Sequence, residues 1–103
     1  MAVSAKVDGG IARVVLDHPP LNILTRELMG ELRARLGELA GESSLRVVVL
    51  GAEGRHFSAG ASVEEHLPPA WEAMIPEFVD TVRTVHDFPL PVVAAVRGRC
   101  LGG

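Results

Sequence analysis

Two stretches of this sequence decide its fold: RVVVL at residues 46–50 with HFSAGA at 56–61, and PVVAAV at 91–96 with RCLGG at 99–103. Each begins with an apolar run of strand length and ends in a turn of small residues, which is typical of a buried strand leaving a sheet. Small residues in such turns let a ligand approach the backbone closely. Two such turns on neighbouring strands can direct two backbone N–H groups at one oxygen atom. This arrangement is an oxyanion hole, which stabilises charge developing on a carbonyl or thioester oxygen.

The first half of the chain predicts a hairpin followed by a helix. Strands are expected at residues 3–7 and 11–16, because the Asp-Gly-Gly segment at 8–10 between them is a strong hairpin signal. Apolar residues then recur at helical spacing, with Thr25 as the predicted N-cap and Gly41 as the residue that ends the helix.

The second half predicts a strand at 46–50, a second amphipathic helix and a fourth strand at 92–96. Proline fits the first turn of a helix better than its middle, so Pro76 is predicted in that first turn. The apolar face of this helix is expected to consist of Ile75, Phe78, Val79, Val82 and Val85. The complete order is β-β-α-β-α-β, an α/β fold without an internal repeat.

The composition is that of one small globular domain. Of the 103 residues, 48% are hydrophobic, which favours strands buried on both faces or apolar surface that other sequence or other subunits cover. A net charge of −3 with no basic stripe disfavours nucleic acid as a partner. No apolar stretch is long enough to cross a membrane, and the N-terminus lacks the pattern of a signal peptide.

The single cysteine, Cys100, excludes an internal disulfide and favours a reducing compartment, so a cytoplasmic location is expected. Cys100 itself is predicted to be a buried thiol. The four histidines lack the spacing of metal ligands, so no metal is predicted. A nucleophilic role for Ser58 is disfavoured, because its neighbours do not form a nucleophile elbow and no orienting acid is evident.

Four motifs occur here in the order of a known family. DHPPLNIL at 17–24, HFSAGAS at 56–62, PVVAAVRG at 91–98 and LGG at 101–103 resemble the crotonase (enoyl-CoA hydratase/isomerase) superfamily. Within it, FSAGASVEEHLP at 57–68 is most similar to the cyclohexa-1,5-diene-1-carbonyl-CoA hydratases of anaerobic aromatic degradation. The resemblance implies that residues 1–103 form the N-terminal portion of the ββα spiral fold of a crotonase-like domain, truncated at the second oxyanion turn.

The same resemblance implies which residues meet the substrate. Ala61 and Gly103 match the family positions whose backbone N–H groups form the oxyanion hole. Ser58, Ala59 and Gly60 match the stretch that lies along coenzyme A, so they are expected to bind substrate.

Glu65 and His66 follow the first oxyanion turn closely and are also candidate substrate-binding residues, because side chains that exchange protons can steer or protonate a substrate. The alternative is a solvated first turn of a short helix, which is favoured for Glu64. Many hydratases of this family carry an aspartate where this chain has Ser62, and that departure disfavours an ordinary straight-chain enoyl substrate.

As a family member, the chain is expected to be the acyl-CoA-binding part of a lyase that adds water to an unsaturated acyl-CoA thioester, with a cyclic dienoyl-CoA as the expected substrate. Coenzyme A is then part of the substrate, and no separate cofactor is expected. The family's acid/base glutamates lie beyond the Gly-Gly turn, so this chain alone is predicted to be inactive. The full-length parent is expected to be a homotrimer or hexamer.

Two alternatives stay open at this point. One is another crotonase reaction, such as double-bond isomerisation or ring cleavage. The other is a non-catalytic acyl-CoA-binding or assembly module, which would keep the oxyanion turns and lack the acid/base glutamates.

Overall fold

Four strands form one mixed sheet in which the strand order follows the chain. The structure is a computed structural model that describes residues 2–103. Its strands are β1 (Val3–Asp8), β2 (Ile11–Leu16), β3 (Val47–Ala52) and β4 (Val92–Ala94). β1 and β2 pair antiparallel, whereas β3 and β4 are each added in parallel. Parallel neighbours need a crossover connection, and helices α1 (Arg26–Ala40) and α2 (Trp71–His86) supply the two.

The predicted hairpin and the ends of the first helix are confirmed. Gly9 and Gly10 have φ values of 60° and 84°, the left-handed values that suit a two-residue turn between twisted strands. Thr25 caps α1, since its side-chain oxygen accepts a hydrogen bond from the Leu28 N–H at 3.1 Å. Gly41 follows the last helical residue with φ −89°, so it ends the helix in a right-handed conformation.

The core lies between the sheet and α1. Its buried side chains come from one face of α1, from the strands and from the loop before β3, and they are Val3, Ala12, Val14, Leu16, Leu28, Leu32, Leu36, Leu39, Leu45, Val48 and Leu50. Burying one leucine side chain of this kind stabilises the fold by about 1.5–3 kcal/mol relative to its exposure. The core therefore holds in place the end of the sheet from which the two turns leave.

α2 begins five residues before Pro76, so the prediction that this proline lies in the first turn is wrong. Proline has no N–H, and the carbonyl of Glu72 therefore lacks its intrahelical donor. The helix nevertheless starts at Trp71, because the fully buried side chain of Met74 anchors its first turn. Glu72 is exposed, so water can satisfy the carbonyl that the proline leaves without a donor.

The face that α2 buries also differs from the predicted one. Met74 and Thr81 are its buried residues. In the predicted stripe, Ile75 remains 38% exposed, Val79 40% and Val82 44%. Only one edge of the apolar surface of α2 is therefore buried, and part of the remaining apolar surface lines an open cleft.

Charged side chains hold α2 against α1. The Glu77 carboxylate accepts hydrogen bonds from Arg26 Nε and, at 3.2 Å, from Arg33 Nη2. Arg33 Nη1 also donates to the Thr81 hydroxyl at 2.8 Å. The hydrogen bond from Arg26 is the main cause that lowers the pKa of Glu77 below its ordinary value of 4.5, and Arg33 adds to it while desolvation opposes it.

We expect Glu77→Gln to lower the free energy of unfolding by about 0.5–1 kcal/mol near neutral pH, since water screens a partly exposed ion pair. The pKa of Glu77 is lowered in the folded protein. Its contribution is therefore complete above pH 4.5 and is lost as the pH falls below that value. Urea unfolding over this pH range measures both effects. Glu38→Gln, which removes only an exposed pair with Arg35 inside α1, is the matched control. Equal losses in the two variants would contradict a special role for Glu77.

Apolar side chains are also uncovered at the β4 side of the sheet. Val93, Val96 and Leu101 are each about half exposed. The high hydrophobic content of the chain therefore reflects open surface as well as a buried core. Neither α1 nor α2 is both long and apolar enough to cross a membrane, and no other helix in residues 2–103 is.

Candidate active site

The two small-residue turns lie side by side, because hydrogen bonding between β3 and β4 resumes beyond the ends of both strands. The Ser58 N–H donates to the Arg99 carbonyl at 3.1 Å, and the Leu101 N–H donates to the Ser58 carbonyl at 3.0 Å. These bonds make Ser58 and Cys100 a parallel bridge. The bridge extends the sheet to the point where the turns begin.

Ala61 and Gly103, the two predicted donors, each lie three residues beyond one member of this bridge. Gly60 and Gly102, with φ values of 104° and 65°, pack backbone against backbone just before them. A Cβ on Gly102 would lie 3.3 Å from the Gly60 Cα, and a Cβ on Gly60 would lie 3.1 Å from the Leu101 carbonyl oxygen. Side chains at these two positions would push the turns apart, so glycine is what brings the donors together.

The N–H of Ala61 is not used by the fold. Leu24 donates its N–H to the Gly60 carbonyl at 2.9 Å and accepts the Ser62 N–H at 3.3 Å. In a parallel bridge of this kind, the residue between the two partners presents its own N–H and C=O to the opposite side. Within residues 2–103, neither Ala61 nor Gly103 donates its N–H to another protein group. Both can therefore donate to a ligand.

An apolar cleft of about 420 Å³ opens at the second turn. Phe78, Val82 and Val85 of α2 form one wall, and Gly102 and Gly103 lie at its edge. The ring of Phe78 packs directly against Gly103, where a Cβ would overlap it. Poorly hydrated surroundings strengthen a hydrogen bond from a backbone donor to a charged oxygen. The cleft thus suits an apolar acyl group whose carbonyl reaches the turns.

The candidate substrate-binding stretch 58–60 is held firmly from behind. Ser58 is 4% exposed, and its hydroxyl donates to the Asn22 carbonyl at 2.8 Å and accepts the Gly60 N–H at 3.1 Å. The Ala59 N–H donates to the Leu21 carbonyl at 2.9 Å. The Ser58 hydroxyl is engaged within the fold and has no histidine partner, so a nucleophilic role stays disfavoured. Contact between residues 58–60 and coenzyme A stays a prediction.

Glu65 and His66 lie in a short 3₁₀ turn, Glu64–His66, away from the cleft. Glu65 Oε1 accepts the Arg26 N–H at 2.9 Å and so caps the start of α1. His66 is exposed, and its Nδ1 lies 2.8 Å from the Ser62 carbonyl oxygen. Both residues thus contact Ser62, which follows Ala61, but neither lines the apolar cleft, and their contact with substrate stays a prediction.

Cys100 is exposed, so the prediction of a buried thiol is wrong. The segment after β4 pairs with the loop that follows β3 and has no further strand beyond it in the described chain, which leaves the thiol uncovered. Among residues 2–103 there is no group of three or more His, Cys, Asp or Glu side chains that could hold a metal ion.

Sequence reasoning did not select Asn22 as a site residue. This side chain is fully buried, and φ is 47°. Its Nδ2 donates to the carbonyls of Glu53 and His56, each at 2.9 Å, and its Oδ1 accepts the His18 N–H at 2.8 Å. Asn22 therefore ties the loop after β2 to the loop after β3. The DHPPLNIL motif contains the signal, since asparagine tolerates left-handed φ better than most residues.

Two further sets of hydrogen bonds join the segment 97–99 to the loop after β3. Arg97 donates to the carbonyls of Ala52 and Gly54 at 2.7 and 2.8 Å. His56 Nδ1 accepts the Arg99 N–H at 2.9 Å, which requires that this ring nitrogen carry no proton. Both contacts fix the second turn relative to the first.

Comparison with known proteins places this geometry in a family. The enoyl-CoA hydratase/isomerase family model matches residues 6–103. The cyclohexa-1,5-dienecarbonyl-CoA hydratase of Thauera aromatica is 43% identical over 96 residues, which cover 93% of this chain and 37% of that protein. The (7aS)-7a-methyl-1,5-dioxo-2,3,5,6,7,7a-hexahydro-1H-indene-carboxyl-CoA hydrolase of Mycobacterium tuberculosis is 33% identical over 104 residues, which cover 97% of this chain and 42% of that protein.

Solved structures share the fold. An enoyl-CoA hydratase/carnithine racemase from Magnetospirillum magneticum matches with a TM-score of 0.90 at 28% identity, covering 99% of this chain and 41% of that one. An enoyl-CoA hydratase/isomerase from Xanthobacter autotrophicus Py2 matches with a TM-score of 0.87 at 27% identity, covering 97% and 40%. The chain spans about two-fifths of the length of these relatives.

These matches confirm the predicted α/β fold, in which the β-β-α-β-α-β order corresponds to the N-terminal portion of the crotonase fold. They also agree with the four motifs that first indicated the family, since the matched region contains all of them. The chain belongs to the enoyl-CoA hydratase/isomerase, or crotonase, family.

Proposed function

We propose that the protein containing this chain adds water to an unsaturated acyl-CoA thioester, with a cyclic dienoyl-CoA as its substrate. The observation that carries this proposal is the pair of unused backbone N–H groups, those of Ala61 and Gly103, on adjacent turns, the second of which lines an apolar cleft. The family's acyl-CoA substrates carry a thioester carbonyl, which is the group that such a pair would hold.

The two N–H groups would act on the charge that builds up during hydration. When water attacks a carbon conjugated with the thioester, electron density moves onto the thioester oxygen and an enolate forms. Donors already directed at that oxygen stabilise the enolate without further rearrangement, and one such donor typically contributes about 10²–10³ in rate. The identity of residue 61 matters little to this step, because the backbone supplies the donor.

Hydration also needs a group that removes a proton from water and one that delivers a proton to carbon. No carboxylate lines the cleft among the described residues, and its titratable side chains are His86 and Cys100. We therefore assign proton transfer to the family's acid/base glutamates, which lie outside residues 1–103. The chain would supply the oxyanion donors and part of the coenzyme A site, and alone it is expected to be inactive. In the complete protein we expect a homotrimer or hexamer.

The cyclic substrate has two supports. The Thauera aromatica relative is named for a cyclic dienoyl-CoA. In addition, Ser62 stands where many straight-chain hydratases of the family carry aspartate, and its hydroxyl is engaged in accepting the Glu65 N–H at 3.3 Å. A second candidate is ring cleavage, because relatives from Mycobacterium tuberculosis and Rhodococcus jostii are named hydrolases of a bicyclic carboxyl-CoA.

The test compares substrates on the complete protein. We expect kcat/KM for cyclohexa-1,5-diene-1-carbonyl-CoA to exceed that for crotonyl-CoA by at least about 10-fold, the scale of discrimination that an apolar pocket provides. Products are identified by NMR, because hydration and hydrolytic ring opening each add one water and differ only in whether the ring stays closed. Comparable kcat/KM values for the two substrates would contradict the proposed cyclic substrate and leave the proposed hydratase activity standing. A ring-opened product from a bicyclic carboxyl-CoA would favour the hydrolase, and binding without turnover would indicate an acyl-CoA-binding module.

A further inference from the structure

The first oxyanion turn takes its orientation from the loop after β2. Residues 58–62 contact this loop at several points. The Ala59 N–H donates to the Leu21 carbonyl, the Ser58 hydroxyl donates to the Asn22 carbonyl, and Leu24 bridges the residues on either side of Ala61. The direction of the Ala61 N–H is therefore set by the segment 21–24.

Within that segment, Asn22 is the residue that is both polar and fully buried. Every polar atom it carries is hydrogen-bonded. Its N–H and Oδ1 bond to His18, its Nδ2 bonds to Glu53 and His56, and its carbonyl bonds to Ser58. The Asn22 side chain thus fixes the start of the loop after β3. The Asn22 carbonyl binds the same loop at Ser58, three residues before Ala61.

We infer that Asn22 is a positioning residue for the Ala61 N–H, acting through Ser58 and Gly60. The path is continuous. The Asn22 carbonyl accepts the Ser58 hydroxyl at 2.8 Å, and that hydroxyl accepts the Gly60 N–H at 3.1 Å. Gly60, whose φ is 104°, immediately precedes the donor. The inference rests on the proposed oxyanion role of Ala61, and it assigns Asn22 no contact with substrate.

Asn22→Asp in the complete protein is the informative substitution, because aspartate has the same shape and keeps the acceptor for His18. It replaces the two N–H donors with an oxygen that faces the carbonyls of Glu53 and His56, so the loop must shift. We expect kcat to fall about 10–100-fold, since a displacement of about 1 Å can cost 10²-fold in rate. KM should rise by a smaller factor than kcat falls, because the Ala61 donor acts in the transition state, whereas residues 58–60 are proposed to contact coenzyme A in the ground state as well.

Two further variants separate positioning from loss of stability. Ser58→Ala removes the hydroxyl link and leaves the Asn22 side chain intact, so it should lower kcat in the same way and carries the test if Asn22→Asp does not fold. Leu36→Ala is the matched control, because it removes a buried core side chain that does not line the cleft. It should lower the melting temperature and leave kcat per folded molecule unchanged.

A double-mutant cycle on kcat decides the inference. If Asn22 acts through the Ala61 N–H, then Asn22→Asp should lower kcat by less than about threefold in an Ala61→Pro background, where that donor is already missing. Persistence of the full effect there, or near-normal kcat in both Asn22→Asp and Ser58→Ala, would overturn it. If instead Ala61→Pro alone keeps normal kcat, the oxyanion proposal itself fails, so the two failures are distinguishable.

Discussion

Replacing Ala61 by proline in the complete protein is expected to lower kcat at least about 10²-fold, the usual cost of one lost oxyanion donor. Proline has no N–H, whereas the carbonyl and the surrounding loop can remain. Ala61→Gly keeps the N–H and removes only a methyl group, so it should cost far less. The comparison of these two variants in steady-state kinetics separates the backbone donor from the side chain.

The Ala61→Pro result counts only for a folded protein. Proline also restricts the preceding residue, here Gly60 with φ 104°. Affinity for coenzyme A and the melting temperature are therefore measured alongside kcat. A well-folded Ala61→Pro variant with near-normal kcat would show that residue 61 is an ordinary turn residue.

Gly98→Ala is expected to have the largest effect on stability, a loss of about 2–5 kcal/mol in the free energy of unfolding. Gly98 has φ 61°, and a Cβ there would overlap the Arg55 carbonyl and the His56 ring. Relief of that overlap would separate the two loops, including the bond from the Arg99 N–H to His56 Nδ1. Because globular proteins are stabilised by only about 5–15 kcal/mol, the second turn should lose its order.

Gly9→Ala is the matched control for Gly98→Ala. Gly9 has nearly the same conformation, φ 60°, but nothing lies within 4 Å of a Cβ built on it. The control therefore measures only the cost of a left-handed alanine, about 1–2 kcal/mol. Urea unfolding of both variants gives the difference. Equal losses would mean that the close approach at Gly98 contributes nothing.

The sequence was informative wherever a short segment determines its own structure. The hairpin at 8–10 and the Thr25 cap depend on backbone conformation and on bonds within a few residues, and both are confirmed. The two turns were also recognisable, because their small residues and the order of the motifs indicate the family.

The sequence was less informative where distant residues decide. The start of α2 depends on the burial of Met74, which outweighs the unfavourable position of Pro76. Glu65 caps α1 across 39 residues, and Asn22 bonds to His56 across 34. Periodicity describes one element at a time, so it could not show that Glu65 lies away from the cleft or that Asn22 supports the turns.

The bridge between Ser58 and Cys100 has a consequence for how the family can vary. Neighbouring strands lie about 4.8 Å apart, and an oxygen about 2.9 Å from donors at that spacing sees them at an angle of about 110°. This angle is close to that between the lone pairs of a carbonyl oxygen. On the proposed function, donors at this spacing would match the carbonyl common to every thioester substrate, whereas the wall formed by α2 is built from separate side chains. Substitutions in that wall would then suit a new acyl group and leave the spacing of the backbone donors unchanged.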